Sequence, residues 1–217
     1  HLQLAVTVRL HPDRPVISIR DEITNLSSVP TGMQLLYHIN FGLPLLTPDG
    51  ELVLPVKQVA PRDLEAAKDG QQWATYGPVT PAYKERVHFF ELLADAENQT
   101  HVLLKNAAAN CGISLCYDIT QLPCFSQWKH TGALEDGYVT GLEPATNFPN
   151  PRSFEADRGR VVSLAGGESR QFDLQLHYHS CPESVRAAER AIEVLSAGAN
   201  PLLHPQPKPE WSFGGNG

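Results

Sequence analysis

The chain has 217 residues, enough for one domain with a sizeable core, and 41% of them are hydrophobic, which excludes a disordered polymer. A net charge of −7 disfavours nucleic acid and anionic membrane as partners, and no apolar run approaches the length of a membrane span. The four cysteines, at positions 111, 116, 124 and 181, lack the paired short spacings of zinc or thiol-redox motifs, so small buried hydrophobes in a reduced, cytoplasmic setting are expected.

Period-two patterns dominate from the start. Leu4 to Leu10 alternates apolar and polar residues, and Val16 to Ile23 resumes after a His-Pro-Asp-Arg-Pro turn. Asn25 to Pro30 reads as a loop. Leu35 to Leu46 is an apolar run broken by His38, Asn40 and the turn formers Gly42 and Pro44. Side chains alternate along a strand, so His38 and Asn40 share a face. Further strands are expected over 51–59, 88–93, 101–105, 112–119, 125–129, 138–142, 161–164 and 169–178, most of them separated by turn residues. Such a series marks an all-β, antiparallel sandwich. Between Glu65 and Tyr83 the breakers Gly70, Gly77, Pro78 and Pro81 predict a long insertion. Trp73 and Tyr76 would cover a pocket there, or the stretch is a solvated excursion. Pro182 suits a first helical position, Glu183 favours the positive helix end, and Val185, Ala188, Ile192 and Leu195 form one stripe that Gly198 closes. A packing helix is therefore expected to end a domain over 1–198. Residues 199–217 read as an extended arm, anchored by Trp211 and Phe213 on the body or on a neighbouring subunit in a homo-oligomer.

The densest polar chemistry lies in Gly141 to Arg152. Glu143 ends the strand-like run that starts at Tyr138, and a loop with three prolines follows, carrying Asn147, Asn150 and Arg152. A carboxylate beside amides and a guanidinium suits a polyhydroxylated ligand and a proton transfer on it. The plain alternatives are a strand-ending Glu before an ordinary connection, and a His38 that is a hydrogen-bonded core residue. Phe125 to His130 offers an aromatic platform at Trp128, with Lys129 beside it. Neighbours on a strand point opposite ways, so those two face one pocket only if a bulge intervenes.

Tyr37-His38-Ile-Asn40-Phe41 resembles the Asn-His-x-Tyr-Phe-Asn segment of aldose 1-epimerases, the galactose mutarotases. Gly141-Leu142-Glu143 followed by Asn147-Phe-Pro-Asn150 resembles that family's Leu-Glu-Thr-Gln…Pro-Asp-x-x-Asn segment, and Leu164-Ala-Gly-Gly-Glu168 its closing Pro-Gly-Glu turn. The likeness runs from about Val16 to Tyr178 and is nearest to the branch labelled "aldose 1-epimerase family protein". It implies a galactose mutarotase-like supersandwich acting on a small sugar, with His38 as general acid, Glu143 as general base and no cofactor or metal. Asn40, Asn147, Asn150 and Arg152 would bind hydroxyls or an acidic substituent, and Trp128 with Lys129 would add stacking and charge. The family's upstream Arg and second His have no counterpart here, so the chain is expected to be the C-terminal part of a longer domain. For the family's substrate-binding Asp, only Asp63 and Asp118 are candidates, with no motif behind them.

Three other readings compete. His177-Tyr-His179 with Glu183 imitates the spacing of a cupin metal site, without the glycines that frame it. A silent sugar-binding module would need neither His38 nor Glu143 as a titrating group. An epimerase of a phosphorylated or acidic sugar would use Arg152 or Lys129 to hold the anion.

Overall fold

Apolar residues at every second position give each strand one apolar face, and two such faces bury each other. The computed structural model describes residues 1–213. Its strands are β1 (Leu2–Leu10), β2 (Val16–Asn25), β3 (Thr31–Met33), β4 (Ile39–Gly42), β5 (Glu51–Val53), β6 (Val56–Pro61) and β7 (Arg86–Leu92). They continue as β8 (Gln99–Lys105), β9 (Gly112–Asp118), β10 (Cys124–Thr131), β11 (Tyr138–Ala145), β12 (Val162–Leu164), β13 (Ser169–His179) and β14 (Leu202–Leu203). One six-stranded sheet has the order β1-β2-β13-β9-β8-β5, the other β14-β6-β7-β10-β11-β4, and β3 pairs with β12 apart from both. Pairing is antiparallel except for β14, which lies parallel to β6. The sandwich expected from the alternation is the fold of the chain.

Its core lies between the sheets. Ile23, Leu104, Leu115, Phe172 and Leu174 of the first sheet share one cluster with Phe90, Phe125, Tyr138 and Leu142 of the second. Each large apolar side chain buried there stabilises the fold by roughly 1.5–3 kcal/mol. Helix α2 (Pro182–Ser196) forms where the Pro182 start and the apolar stripe place it, and buries Val185 and Ile192 against Leu103 on the outer side of the first sheet. A short helix, α1 (Arg152–Ala156), has no expectation behind it.

The stretch expected as an insertion packs on the body through Trp73 and Tyr76, and its residues 78–82 are exposed to solvent. Residues 66–74 form 3-10 turns broken at Gly70, where φ is 54°, and the chain then drives Tyr76 fully into the core. The Tyr76 hydroxyl lies 2.9 Å from Thr140 Oγ1 and accepts from Gln127 Nε2 at 3.0 Å. Trp73 packs edge-on against Phe90 at 5.2 Å. After α2 the chain returns to the second sheet, where Trp211 is buried against Phe148 at 5.1 Å. Positions 214–217 of the expected arm lie outside the described residues.

One apolar row is not covered. Leu4 pairs with the buried Ile23, so Leu2, Leu4, Val6, Val8 and Leu10 continue the inner face of the first sheet, yet all five are exposed. All four cysteines are free thiols. Among the described residues, no helix is long and apolar enough to cross a membrane.

Candidate functional site

Strand register decides which side chains share the outer face of the second sheet. Asn40 on β4 stands opposite Gly141 on β11, and Gly141 opposite Trp128 on β10; one step along, Ser126 stands opposite Glu143. His38 immediately precedes β4. The Tyr37 N–H donates to the Pro144 carbonyl at 3.1 Å, and the Tyr37 hydroxyl donates inward to Asp21 Oδ2 at 2.8 Å. With Tyr37 held inward, alternation sends His38 outward. There its Nε2 lies 3.2 Å from Glu143 Oε1.

The two side chains meet above a glycine. A Cβ on Gly141 would stand 2.9 Å from Glu143 Oε1 and 2.9 Å from His38 Cε1, so any side chain at 141 fills the space that they occupy. Farther along the same face, Phe89 stacks on Phe148 at 4.6 Å, and Trp211 covers Phe148 in turn. This apolar cap leaves the His38 end of the face open.

Burial separates the two groups electrostatically. The Glu143 side chain is 5% exposed and that of His38 is 47% exposed. Desolvation pushes the Glu143 carboxyl up to about 7, against the pull of His38 and Arg62 and with a small push from Glu85. Near neutrality Glu143 is therefore divided between acid and base forms, the range in which a carboxyl serves best in proton transfer. The hydroxyl of Ser126, fully buried across from Glu143, has no partner among the described residues. Trp128 stands beside His38, with ring centroids 5.8 Å apart. Its indole N–H donates to Glu85 Oε2 at 2.7 Å, while Arg62 donates to Glu85 Oε1 at 3.0 Å.

Of the candidate ligand binders, Asn40 and Trp128 join His38 and Glu143 on this face. Lys129, Asn147 and Asn150 have their polar atoms engaged by the protein, whereas Arg152 is exposed and engaged through one N–H. No bulge intervenes between β10 and β11, so Lys129 turns away from Trp128 into the sandwich. Its ammonium bonds Asp69 Oδ2 at 3.0 Å and the carbonyls of Gln72, Trp73 and Thr75. Asn147 donates to the Phe148 carbonyl and accepts from Thr146. Asn150 donates to Glu155 and to the Trp211 carbonyl and accepts from the Phe213 N–H, fastening the C-terminal arm. Arg152 donates to the Gly32 carbonyl at 2.8 Å. Of the two cations offered for an anion-holding role, Lys129 is thus buried and occupied, while Arg152 is exposed.

The metal-like motif also disperses. His179 bonds the Ser114 hydroxyl, His177 bonds Gln175, and Glu183 pairs with Arg186. Among the described residues no three His, Cys, Asp or Glu side chains are grouped to hold a metal. Asp118 accepts from the Thr120 N–H in a turn, whereas Asp63 pairs with Arg62 near the site. Sequence reasoning missed Arg62, Glu85 and Ser126, whose surroundings read as ordinary strand ends and strand interior. For Gly141 a signal existed: a glycine inside a strand marks close approach of another group.

Residues 1–178 match the family described as "Domain of unknown function (DUF4432)". No curated protein matches the chain. A crystal structure of a "putative aldose 1-epimerase" from Klebsiella pneumoniae subsp. pneumoniae MGH 78578 superposes with a TM-score of 0.92 at 32% identity, over 95% of this chain and 54% of that one. A galactose mutarotase related enzyme from Lactobacillus acidophilus has a TM-score of 0.60 at 14% identity, over 83% of this chain and 62% of that one. A galactose mutarotase-like protein from Clostridium acetobutylicum has a TM-score of 0.59 at 15% identity, over 82% and 56%. The last two show the fold alone. The chain spans between about half and three fifths of the length of these structures.

Proposed function

We propose that this chain, which belongs to the family described as domain of unknown function (DUF4432), carries the acid–base pair of an aldose 1-epimerase that interconverts the α and β anomers of a sugar. The observation that carries the reading is the meeting of His38 and Glu143, one half-exposed and one buried, at 3.2 Å on an open sheet face. The similarity to the Klebsiella structure supports it.

Mutarotation opens a hemiacetal and recloses it on the other face of the carbonyl. The anomeric hydroxyl loses a proton to a base while the ring oxygen gains one from an acid, and both oxygens sit on the same carbon. An adjacent acid and base therefore suffice. In this reading, Glu143 in its carboxylate form takes the anomeric proton, and protonated His38 delivers one to the ring oxygen. The C1–O5 bond breaks to give the open aldehyde, the C1–C2 bond rotates, and the two transfers run in reverse. Trp128 stacks on the C–H face of the pyranose, and Asn40 offers a donor and an acceptor to its hydroxyls. Each positioned group typically contributes a factor of about 10² to 10⁴ in rate.

Saturation-transfer NMR of the α and β anomeric protons, for a panel of aldoses, tests the proposal. Protein should accelerate exchange of at least one sugar, and Glu143→Gln and His38→Asn should each remove most of the acceleration while the fold persists. Exchange unaffected by protein, with sugar still bound, would replace this reading by that of a silent binding module.

A further inference from the structure

We propose that Glu85 is a positioning residue that fixes the Trp128 indole against His38, and so sets both the aim of the imidazole and the platform on which the sugar rests. The second role rests on the epimerase reading; the first does not.

The geometry is a tether followed by a wall. Both carboxylate oxygens of Glu85 are held, Oε2 by the Trp128 indole N–H at 2.7 Å and Oε1 by Arg62 at 3.0 Å. Arg62 is itself fixed by Asp63, which accepts from its Nε at 2.9 Å. The hydrogen bond from Trp128, with that from Arg62, holds the Glu85 carboxyl below its usual range, so it stays an anionic acceptor for the indole. The indole also lies nearly parallel to the His130 ring, 5.7 Å away at 16°. His130 is anchored by its Nδ1 to the Gly137 carbonyl at 2.9 Å. Trp128 is thus gripped at its N–H and along one face, and its remaining surface meets His38 at 5.8 Å with a 59° tilt.

His38 depends on that wall. Its side chain is 47% exposed and its one ion-pair contact among the described residues is Glu143. A half-exposed imidazole with one polar contact keeps a single orientation only if something bars the alternative rotamers. Release of Trp128 removes that bar, and a small misplacement of an acid in the transition state costs about tenfold to a hundredfold in rate.

Glu85→Ala and Glu85→Gln separate the tether from mere presence of a side chain. Glutamine keeps a carbonyl acceptor for the indole N–H; alanine keeps nothing. Glu85 is about half exposed, so neither change opens the core. The chain has three tryptophans, so the Trp128 indole signal is assigned by its loss in Trp128→Phe. In Glu85→Ala the Trp128 indole N–H resonance should move and exchange faster with water, and the His38 ring protons should shift as the indole ring current leaves them. Glu85→Gln should restore both signals. Where the wild type catalyses exchange, Glu85→Ala should raise KM and lower kcat by about tenfold or more, with most of the loss recovered in Glu85→Gln. Unmoved His38 ring protons in Glu85→Ala would overturn the positioning role, whatever the wild type does with sugars. A wild type without exchange activity would overturn the epimerase reading and leave the ring-proton result to decide this one.

Discussion

Replacing Gly141 by alanine separates the site from the fold, because the two should respond in opposite directions. The added methyl would stand 2.9 Å from both Glu143 Oε1 and His38 Cε1, and 3.3 Å from His38 Nδ1, where ordinary contact begins at 3.4 Å. Each side chain must therefore give way by at least about 0.5 Å, the gap between 2.9 and 3.4 Å. His38 can yield toward solvent, and the Glu143 carboxyl, as the far end of a flexible side chain, can turn away from the added methyl at little cost to the fold. A displacement of that size in both proton-transfer groups should lower kcat/KM for anomer exchange by about 10- to 100-fold. The backbone at 141 is not in the left-handed region, so alanine adopts it without strain. Alanine also restricts the unfolded chain, which favours folding by about 0.4–1 kcal/mol. The thermal midpoint of Gly141→Ala should accordingly match or exceed that of the wild type while exchange measured by saturation-transfer NMR falls. Full activity with an intact fold would show that the 141 gap does not serve the pair. A loss of activity matched by a loss of folded protein would refute the argument as well.

Glu143→Gln should gain stability where it loses activity. The folded-state pKa of Glu143 is raised from 4.5 to about 7, so the stability that goes with its protonated form is full below pH 4.5 and is lost as pH rises through 7. Glutamine stays neutral, and the variant should exceed the wild type by up to about 3 kcal/mol at pH 8 but not at pH 4 in urea titrations; an equal difference at both would refute the burial argument. His88 runs the other way: burial lowers it from 6.5 to about 4, and its contribution is lost as pH falls through that window. The two slopes oppose each other between about pH 4.5 and 6.5, so wild-type stability there should vary less with pH than that of Glu143→Gln. Lys129→Met should cost about 3 kcal/mol or more by leaving Asp69 with one cation fewer in the interior. Its turnover per folded molecule should stay near the wild-type value; a stable Lys129→Met that no longer binds sugar would return Lys129 to the site.

How much of this is legible in the sequence depends on the range of the interactions. Alternation is local, so most strands of both sheets and the outward-facing pair His38 and Asn40 can be read from single segments; the run expected as one strand over 51–59 divides into β5 and β6 in different sheets, and β14 falls within the expected arm. The three-residue β3 and the five-residue α1 are too short to show a period. The convergence of His38 and Glu143 has no local signal; only the family likeness brings them together, since β4 and β11 are neighbours in space alone. Polar loop residues mislead for a related reason. Asn150 looks free to grip a ligand, but its partners Trp211 and Phe213 lie 61 and 63 positions away. The same distance hides Arg62 and Glu85, whose roles exist only once the Trp128 indole lies between strand ends.

The two faces of β10 and β11 carry different sets of polar groups. On the inner face Lys129 has Asp69 and three carbonyls, and the Tyr76 hydroxyl joins Thr140 and Gln127, while Gln127 Oε1 and His88 Nδ1 have no partner among the described residues. On the outer face Glu143 is almost as deeply buried and is met by one half-exposed imidazole, and the Ser126 hydroxyl beside it has no partner among the described residues. Buried polar atoms in native folds are matched as a rule, because each unmatched one is destabilising by about 1–3 kcal/mol. A sheet face selected for stability alone would carry apolar residues at 126 and 143, as it does at Phe89 and Ala145 on the same side. The buried carboxyl and hydroxyl lie beside the half-exposed imidazole of His38. In the proposed reading, the stability forgone there keeps Glu143 poised to exchange a proton near neutral pH.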